Sequence, residues 1–177
     1  MRRIVSAAVL TLCTWSSVGV AAGLEAWWVS ARFSPTETHI EGIPVQQIDP
    51  SWTKALLLKK DLLPDEGQAY LDRFVAPGMD LFEQVGDFNA DGTLDKAVVG
   101  VYADDQGRFG RFFLILTQTG KGAWKRVSLK TLPGKPGYSM LFGSKHGTQW
   151  ILGWGTCFEC DETGLPIKWN GKQYVAQ

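Results

Sequence analysis

Residues 81–102 read LFEQVGDFNADGTLDKAVVGVY, and this stretch decides the fold of the chain. Two runs rich in apolar and β-branched residues, 81–87 and 96–102, flank a polar segment that contains a glycine. This arrangement is typical of a β-hairpin, in which the apolar runs pair and the polar segment turns. We therefore predict a hairpin over residues 81–102 and a fold built mainly from antiparallel strands.

The segment between the two strands has the pattern D-x-N-x-D-G-x-x-D, which predicts a calcium-binding loop. Calcium prefers roughly six to eight oxygen ligands, and alternate loop positions place several side-chain oxygens inside one tight turn. Gly92 permits the sharp turn that brings the chain back. The predicted ligands are the side chains of Asp87, Asn89, Asp91 and Asp95 and the backbone carbonyl of Thr93. The alternative, in which the Asp and Asn side chains only cap their own backbone, stays open.

The loop differs from an EF-hand because Val98 stands at the position where that motif has a bidentate glutamate. Instead, residues 86–99 resemble the FG-GAP/VCBS-type repeat of integrin-like β-propellers, where the same loop binds calcium between two strands. The resemblance covers one copy and about 14 of the 177 residues. It implies a structural Ca²⁺ and propeller-blade-like hairpins, without a complete propeller or integrin-like adhesion.

Short β-rich runs continue from residue 80 to the end, separated by Gly, Asp and Asn at a spacing of about ten residues. This spacing predicts an antiparallel meander. Asn170-Gly171 lies between two apolar runs and predicts a type I′ hairpin turn. The N-terminal half adds one or two short helices, of which residues 65–75 form the best candidate, whereas residues 51–63 fit either a helix or a strand.

The first residues have the features of a secretory signal peptide: two arginines, an apolar run and a small-residue exit at 20–22. We expect residues 1–22 to be a signal peptide, 23–50 an irregular arm and 51–177 a single β-rich domain. The expected location is periplasmic or secreted, with no membrane span after signal removal. An uncleaved membrane anchor is the alternative, and lipid attachment at Cys13 is disfavoured because Leu12 precedes it.

The expected mature chain keeps two cysteines, Cys157 and Cys160, in a C-x-x-C pattern. In an exported protein, one disulfide is the simplest interpretation. A redox-active pair is one alternative. The other is a soft-metal site, which needs two further ligands and has only His39 and His146 available as histidines.

The composition and the motifs argue against two classes of function. Lys plus Arg and Asp plus Glu both number 18, so the balanced charge argues against nucleic-acid binding. The sequence contains no G-x-S-x-G, H-E-x-x-H or phosphate-cradling motif, so we expect no enzymatic activity.

These features together predict an exported, non-catalytic calcium-binding β domain that binds another envelope or secreted protein. A periplasmic inhibitor or immunity-type protein and a thiol–disulfide redox protein using Cys157 and Cys160 are the alternatives. Glycan binding stays open because the late aromatic residues form either core or an exposed surface. These residues are Trp150, Trp154, Trp169 and Tyr174.

Overall fold

The computed structural model describes residues 26–120, 122–147, 149–158 and 164–176. Strands make up 47% and helices 15% of the structure, and the sheets are antiparallel. The predicted mainly β, antiparallel fold with few short helices is therefore confirmed. The expected signal peptide, Cys13 and Cys160 lie outside the described residues.

The N-terminal segment is more ordered than the irregular arm expected over residues 23–50. Its described part contains α1 (Trp27–Ser30), the two-stranded hairpin of β1 (His39–Ile40) and β2 (Ile43–Pro44), and α2 (Val45–Ile48).

Residues 51–63, whose sequence fits either a helix or a strand, contain one of each. β3 (Trp52–Leu57) is a strand, and Lys60–Leu62 form a turn of 3-10 helix. The predicted helix follows as α3 (Asp65–Phe74).

The first sheet has five strands, and two of them form the predicted hairpin. β4 (Glu83–Gly86) and β5 (Asp95–Asp104) form this hairpin. β5 then pairs with β6 (Phe109–Gln118), which pairs with β7 (Trp124–Pro133). β3 and β4 share the remaining edge of β5, so the chain leaves this edge after β3, passes through α3, and returns to it.

The second sheet is a four-stranded antiparallel meander. Its strands are β8 (Met140–His146), β9 (Gln149–Gly155), β10 (Leu165–Trp169) and β11 (Tyr174–Ala176), and they lie side by side in chain order.

The turn between β10 and β11 confirms the predicted hairpin and corrects its type. Gly171 has a φ of +91°, but Asn170 is not among the residues with positive φ. A type I′ turn requires positive φ at both central residues. Instead, Asn170 uses its side-chain Oδ1 to accept the N–H groups of Lys172 and Gln173, at 3.0 and 2.9 Å.

Both faces of the first sheet are buried, which explains the nearly continuous apolar sequence of β6. Phe113 and Ile115 face the core shared with the second sheet, whereas Phe112 and Leu114 belong to a second core on the opposite face. A strand that is buried on both sides needs apolar residues at successive positions rather than at alternate ones.

Burial of the N-terminal segment explains its unexpected order. Trp27 and Trp28 lie in the core between the sheets, and Ile40, Val45 and Ile48 close the core on the opposite face. Full burial of a large apolar side chain contributes about 1.5–3 kcal/mol, which offsets the entropy lost when the chain becomes ordered. The described part of this segment therefore packs as part of the folded unit.

Among the described residues, no helix is both long and apolar enough to cross a membrane.

Gly100 in β5 provides a test of this packing. A Cβ atom at this position would lie 2.4 Å from the Leu56 carbonyl oxygen and 2.4 Å from Phe112 Cζ. Because the carbonyl belongs to the paired backbone of β3, we expect Gly100→Ala to destabilise the protein by about 1–3 kcal/mol, the usual range for overpacking. Urea denaturation of the purified variants measures the loss.

The matched control is Gly120→Ala, because no atom lies within 4 Å of a Cβ built on Gly120. Equal loss of stability in both variants would contradict the described contact between β3, β5 and β6.

Candidate metal centre

The predicted loop connects β4 to β5 as expected. Gly86 lies opposite Asp95 in the last pair of the hairpin, so residues 87–94 form the loop. Ala90 and Gly92 have φ values of +60° and +83°. These two left-handed residues fold the polar segment back on itself, which gathers its side chains on the inside of the turn.

The loop side chains accept hydrogen bonds from the loop's own backbone. The Asp87 carboxylate accepts the N–H groups of Asp91 and Gly92, at 3.1 and 2.9 Å. Asn89 Oδ1 also accepts the Asp91 N–H, at 3.1 Å, and Asp91 Oδ1 accepts the N–H of Thr93, at 2.7 Å. The first three predicted ligands thus direct oxygens toward the loop interior, while Thr93 contributes a backbone donor.

Asp95 differs from the other four because it is fully buried. Its Oδ2 accepts the Phe88 N–H at 3.0 Å and the Tyr174 hydroxyl at 3.1 Å. Its Oδ1 is buried as well, but has no hydrogen-bond partner in the structure. A buried carboxylate oxygen without a donor is costly, because the protein replaces none of the hydrogen bonds lost from water.

The pKa values of Asp91 and Asp95 are shifted in opposite directions. A backbone hydrogen bond from Thr93, together with one from the Asn89 side chain, lowers the pKa of Asp91. Burial raises the pKa of Asp95, and the negative charge of Asp91 raises it further. Thr117, opposite Asp95 on β6, lowers this pKa, although its hydroxyl forms no hydrogen bond of good geometry with Oδ1. The Asp95 charge therefore lies in surroundings that only partly stabilise it.

The loop packs against the second sheet. Phe88 is buried, and its ring meets the Trp150 ring edge-on at a centroid distance of 5.3 Å. A Cβ atom on Gly86 would lie 2.8 Å from Trp150, so this position has no room for a side chain. Together with the Tyr174–Asp95 hydrogen bond, these contacts join the base of the loop to β9 and β11.

Tyr174 is the functional neighbour that the sequence pattern missed. It is 79 residues from Asp95 along the chain, and its hydroxyl reaches Asp95 only through the packing of the two sheets. No local spacing could indicate this contact.

The five predicted ligands lie in one turn, but their oxygens are not arranged around a single metal position. Within the described part of the chain, no three His, Cys, Asp or Glu side chains form a group that could hold a metal ion. The loop carboxylates are occupied with backbone amides, as in the capping alternative.

The other candidate residues occupy separate places. Cys157 is disulfide-bonded and packs against the core between the sheets. Its expected partner Cys160 lies outside the described residues, so that pairing stays a prediction. His39 contacts Thr38 Oγ1 and His146 contacts Ser144 Oγ, both at exposed positions.

The late aromatic residues belong to the core rather than to an open surface. Trp154 and Tyr174 are buried, and Trp150 and Trp169 pack partly buried against the same core. Glycan binding stays a prediction.

Comparison of the chain with protein-family models, with curated proteins and with solved structures finds no match.

Tyr174→Phe tests the contact between the loop and β11. Because the variant removes a donor from a buried carboxylate that already lacks one, we expect a loss of about 1.5–3 kcal/mol in unfolding free energy. Chemical denaturation in the presence of a chelator measures this effect without a contribution from metal.

The control is Tyr138→Phe, which also removes a buried tyrosine hydroxyl, but one with no hydrogen-bond partner. We expect this variant to be neutral or slightly more stable. A Tyr174→Phe variant as stable as Tyr138→Phe would show that the bond to Asp95 does not support the fold.

Proposed function

We propose that this chain is an exported, non-catalytic calcium-binding β domain that acts as a protein-interaction module of the cell envelope. In this proposal, calcium is structural and binds in the β4–β5 loop. The observation that carries it is the buried, unpartnered Oδ1 of Asp95 at the base of a loop with the pattern D-x-N-x-D-G-x-x-D.

The donor chemistry of the loop supports calcium. Asp87, Asn89 and Asp91 supply side-chain oxygens, Thr93 supplies a carbonyl and Asp95 supplies an oxygen free of other bonds. Each oxygen has two lone pairs, so a loop oxygen that accepts one amide N–H can still face a cation. Calcium tolerates irregular geometry at about 2.3–2.6 Å, which suits a loop that needs small side-chain rotations to surround one point.

The charges of the loop also favour a divalent cation. Asp87, Asp91 and Asp95 place three carboxylates within nine residues, and no lysine, arginine or histidine lies between them. The negative charge of Asp91 already raises the pKa of Asp95. A calcium ion would reverse this repulsion and would provide the buried Oδ1 with the partner that the protein does not supply.

The contacts around the loop suggest what calcium does for the fold. Asp95 is hydrogen-bonded to Tyr174 of β11, and Phe88 packs on Trp150 of β9. A cation that holds Asp95 and the loop together would therefore also hold the first sheet against the second. We infer a stabilising role, with the interaction surface elsewhere on the domain.

The sequence and the disulfide support export and a non-catalytic role. The signal-like N-terminus and the disulfide at Cys157 are typical of proteins from an oxidising compartment. The lack of a known catalytic motif in the sequence favours a role in binding over one in catalysis.

Thermal unfolding of the purified protein with calcium and with chelator tests the proposal. Calcium at a hundred times its dissociation constant stabilises a native state by about 2.7 kcal/mol, so we expect the melting temperature to rise by several degrees. The rise should disappear when Asp87→Ala and Asp91→Ala are combined. It should persist in Asp105→Ala, which removes an exposed aspartate from the β5–β6 turn.

An unchanged melting temperature in wild type, or a rise that survives the double substitution, would contradict the proposed site. Magnesium serves as a further control, because it demands a stricter octahedral geometry and keeps its water more tightly. A smaller effect is therefore expected from it.

The variant Asp95→Asn tests whether Asp95 is a metal ligand or only a buried structural residue. Because burial raises the pKa of Asp95 in the folded state, its ionised form costs stability at neutral pH, and this cost is absent at acidic pH. We therefore expect Asn to leave the chelated protein as stable as wild type or more stable, and to abolish the calcium-dependent rise. Melting curves in both conditions measure the two effects.

A strongly destabilised Asp95→Asn protein that still responds to calcium would show that Asp95 is structural only.

A further inference from the structure

A second charged position, Arg111 on β6, is independent of the calcium loop. Its side chain is on the face of the first sheet that also carries Phe113, and it is about half buried. Nη1 donates to the carbonyl oxygen of Tyr138 at 3.2 Å, and Nε is buried without a hydrogen-bond partner. Only one of the five guanidinium donors therefore has an acceptor among the described residues.

Arg111 also has no counter-charge in the described part of the chain. Three other cations there form ion pairs: Arg108 with Asp104, Lys60 with Asp72, and Lys96 with Glu41 and Glu83. For Arg111, burial lowers the pKa, and the positive charge of Arg32 lowers it further. Its surroundings thus add positive charge instead of neutralising it.

Arg32 approaches the same segment of chain. Its Nη1 donates to the carbonyls of Val29 and Ala31, and a Cβ atom built on Gly137 would lie 3.8 Å from it. Gly137 precedes Tyr138, the residue whose carbonyl holds Arg111. The Phe33 N–H, which donates to the Pro136 carbonyl at 2.8 Å, fixes this approach of the two segments.

Lys130 on β7 brings a third cation to this face. The register pairs Phe113 with Lys130 and Arg111 with Leu132, so Lys130 is a diagonal neighbour of Arg111 on the same face. Diagonal pairs of this kind lie about 7–8 Å apart, within reach of long side chains. Lys130 is half-buried and forms no ion pair with the described residues.

We propose that Arg111, Arg32 and Lys130 form a binding site for a dianionic oxyanion, the chemical class of phosphate and phosphoryl groups. Three cations that form no ion pair with any carboxylate of the described residues favour a ligand with more than one negative charge. The planar guanidinium of Arg111 matches two oxygens of such a group. Arg32, whose charge reaches Arg111, and Lys130, its diagonal neighbour in the sheet, add positive charge. Asp95 pairs with Thr117 of β6, six residues along the same sheet face from Arg111, which is about 20 Å at about 3.3 Å per residue. The site therefore uses none of the calcium loop's ligands.

Titration of the purified protein with inorganic phosphate tests this site. Arginine Nε–H signals are followed by proton–nitrogen NMR at constant ionic strength, and the Arg111 signal is assigned by its absence in Arg111→Gln. We expect a saturable shift of this signal, together with a loss of phosphate affinity of about tenfold or more in Arg111→Gln, because the variant removes charge-assisted hydrogen bonds to the anion.

Two further variants and a second anion complete the test. Arg73→Gln removes a cation that lies over the Phe74 ring, outside the proposed site, and should leave the affinity unchanged. Arg32→Gln changes an exposed residue and should weaken binding severalfold, so the test does not depend on the folding of Arg111→Gln. Acetate, with a single charge, should bind more weakly than phosphate.

A shift that grows linearly without saturation, or equal phosphate affinity in wild type, Arg111→Gln and Arg32→Gln, would overturn the proposal. Equal affinity for acetate and phosphate would overturn the assignment to a dianion.

Discussion

The buried carboxylate of Asp95 is the constraint around which this fold is arranged. It begins β5, the central strand of the first sheet, and it accepts hydrogen bonds from both the loop and the second sheet. One of its oxygens is satisfied twice, and the other has no partner. A charge placed this way costs stability unless something positive shares the site, because the interior cannot solvate it as water does. Our account of the calcium loop follows from that imbalance.

The rest of the architecture explains how such a group can be kept inside. β5 and β6 are buried on both faces, since the second sheet covers one face and the N-terminal segment covers the other. The base of the loop is therefore enclosed, and Asp95 is buried there with a hydrogen bond to Tyr174 of the second sheet. The same double coverage leaves Arg111 half-buried on β6, so two charges of opposite sign are held in the interior without a complete set of partners.

Local sequence patterns predicted the antiparallel strands well, because apolar runs with turn residues between them depend on neighbouring residues only. They also predicted the β4–β5 hairpin and the helix at α3. The irregular N-terminal arm was the main error, since its tryptophans and isoleucines are ordered by partners far along the chain. The turn at Asn170-Gly171 was assigned the wrong type because Asn170 does not adopt a positive φ, and its side chain accepts two backbone N–H groups within the turn.

For the candidate site, the sequence predicted the loop and its oxygen donors, but neither the burial of Asp95 nor its bond to Tyr174. A crystal structure of the protein grown in calcium tests the central claim most directly. The account predicts one calcium ion about 2.3–2.6 Å from Asp95 Oδ1 and from oxygens of Asp87 and Asp91. A loop without a bound ion, or an ion held by the loop while Asp95 Oδ1 stays unpartnered, would contradict it.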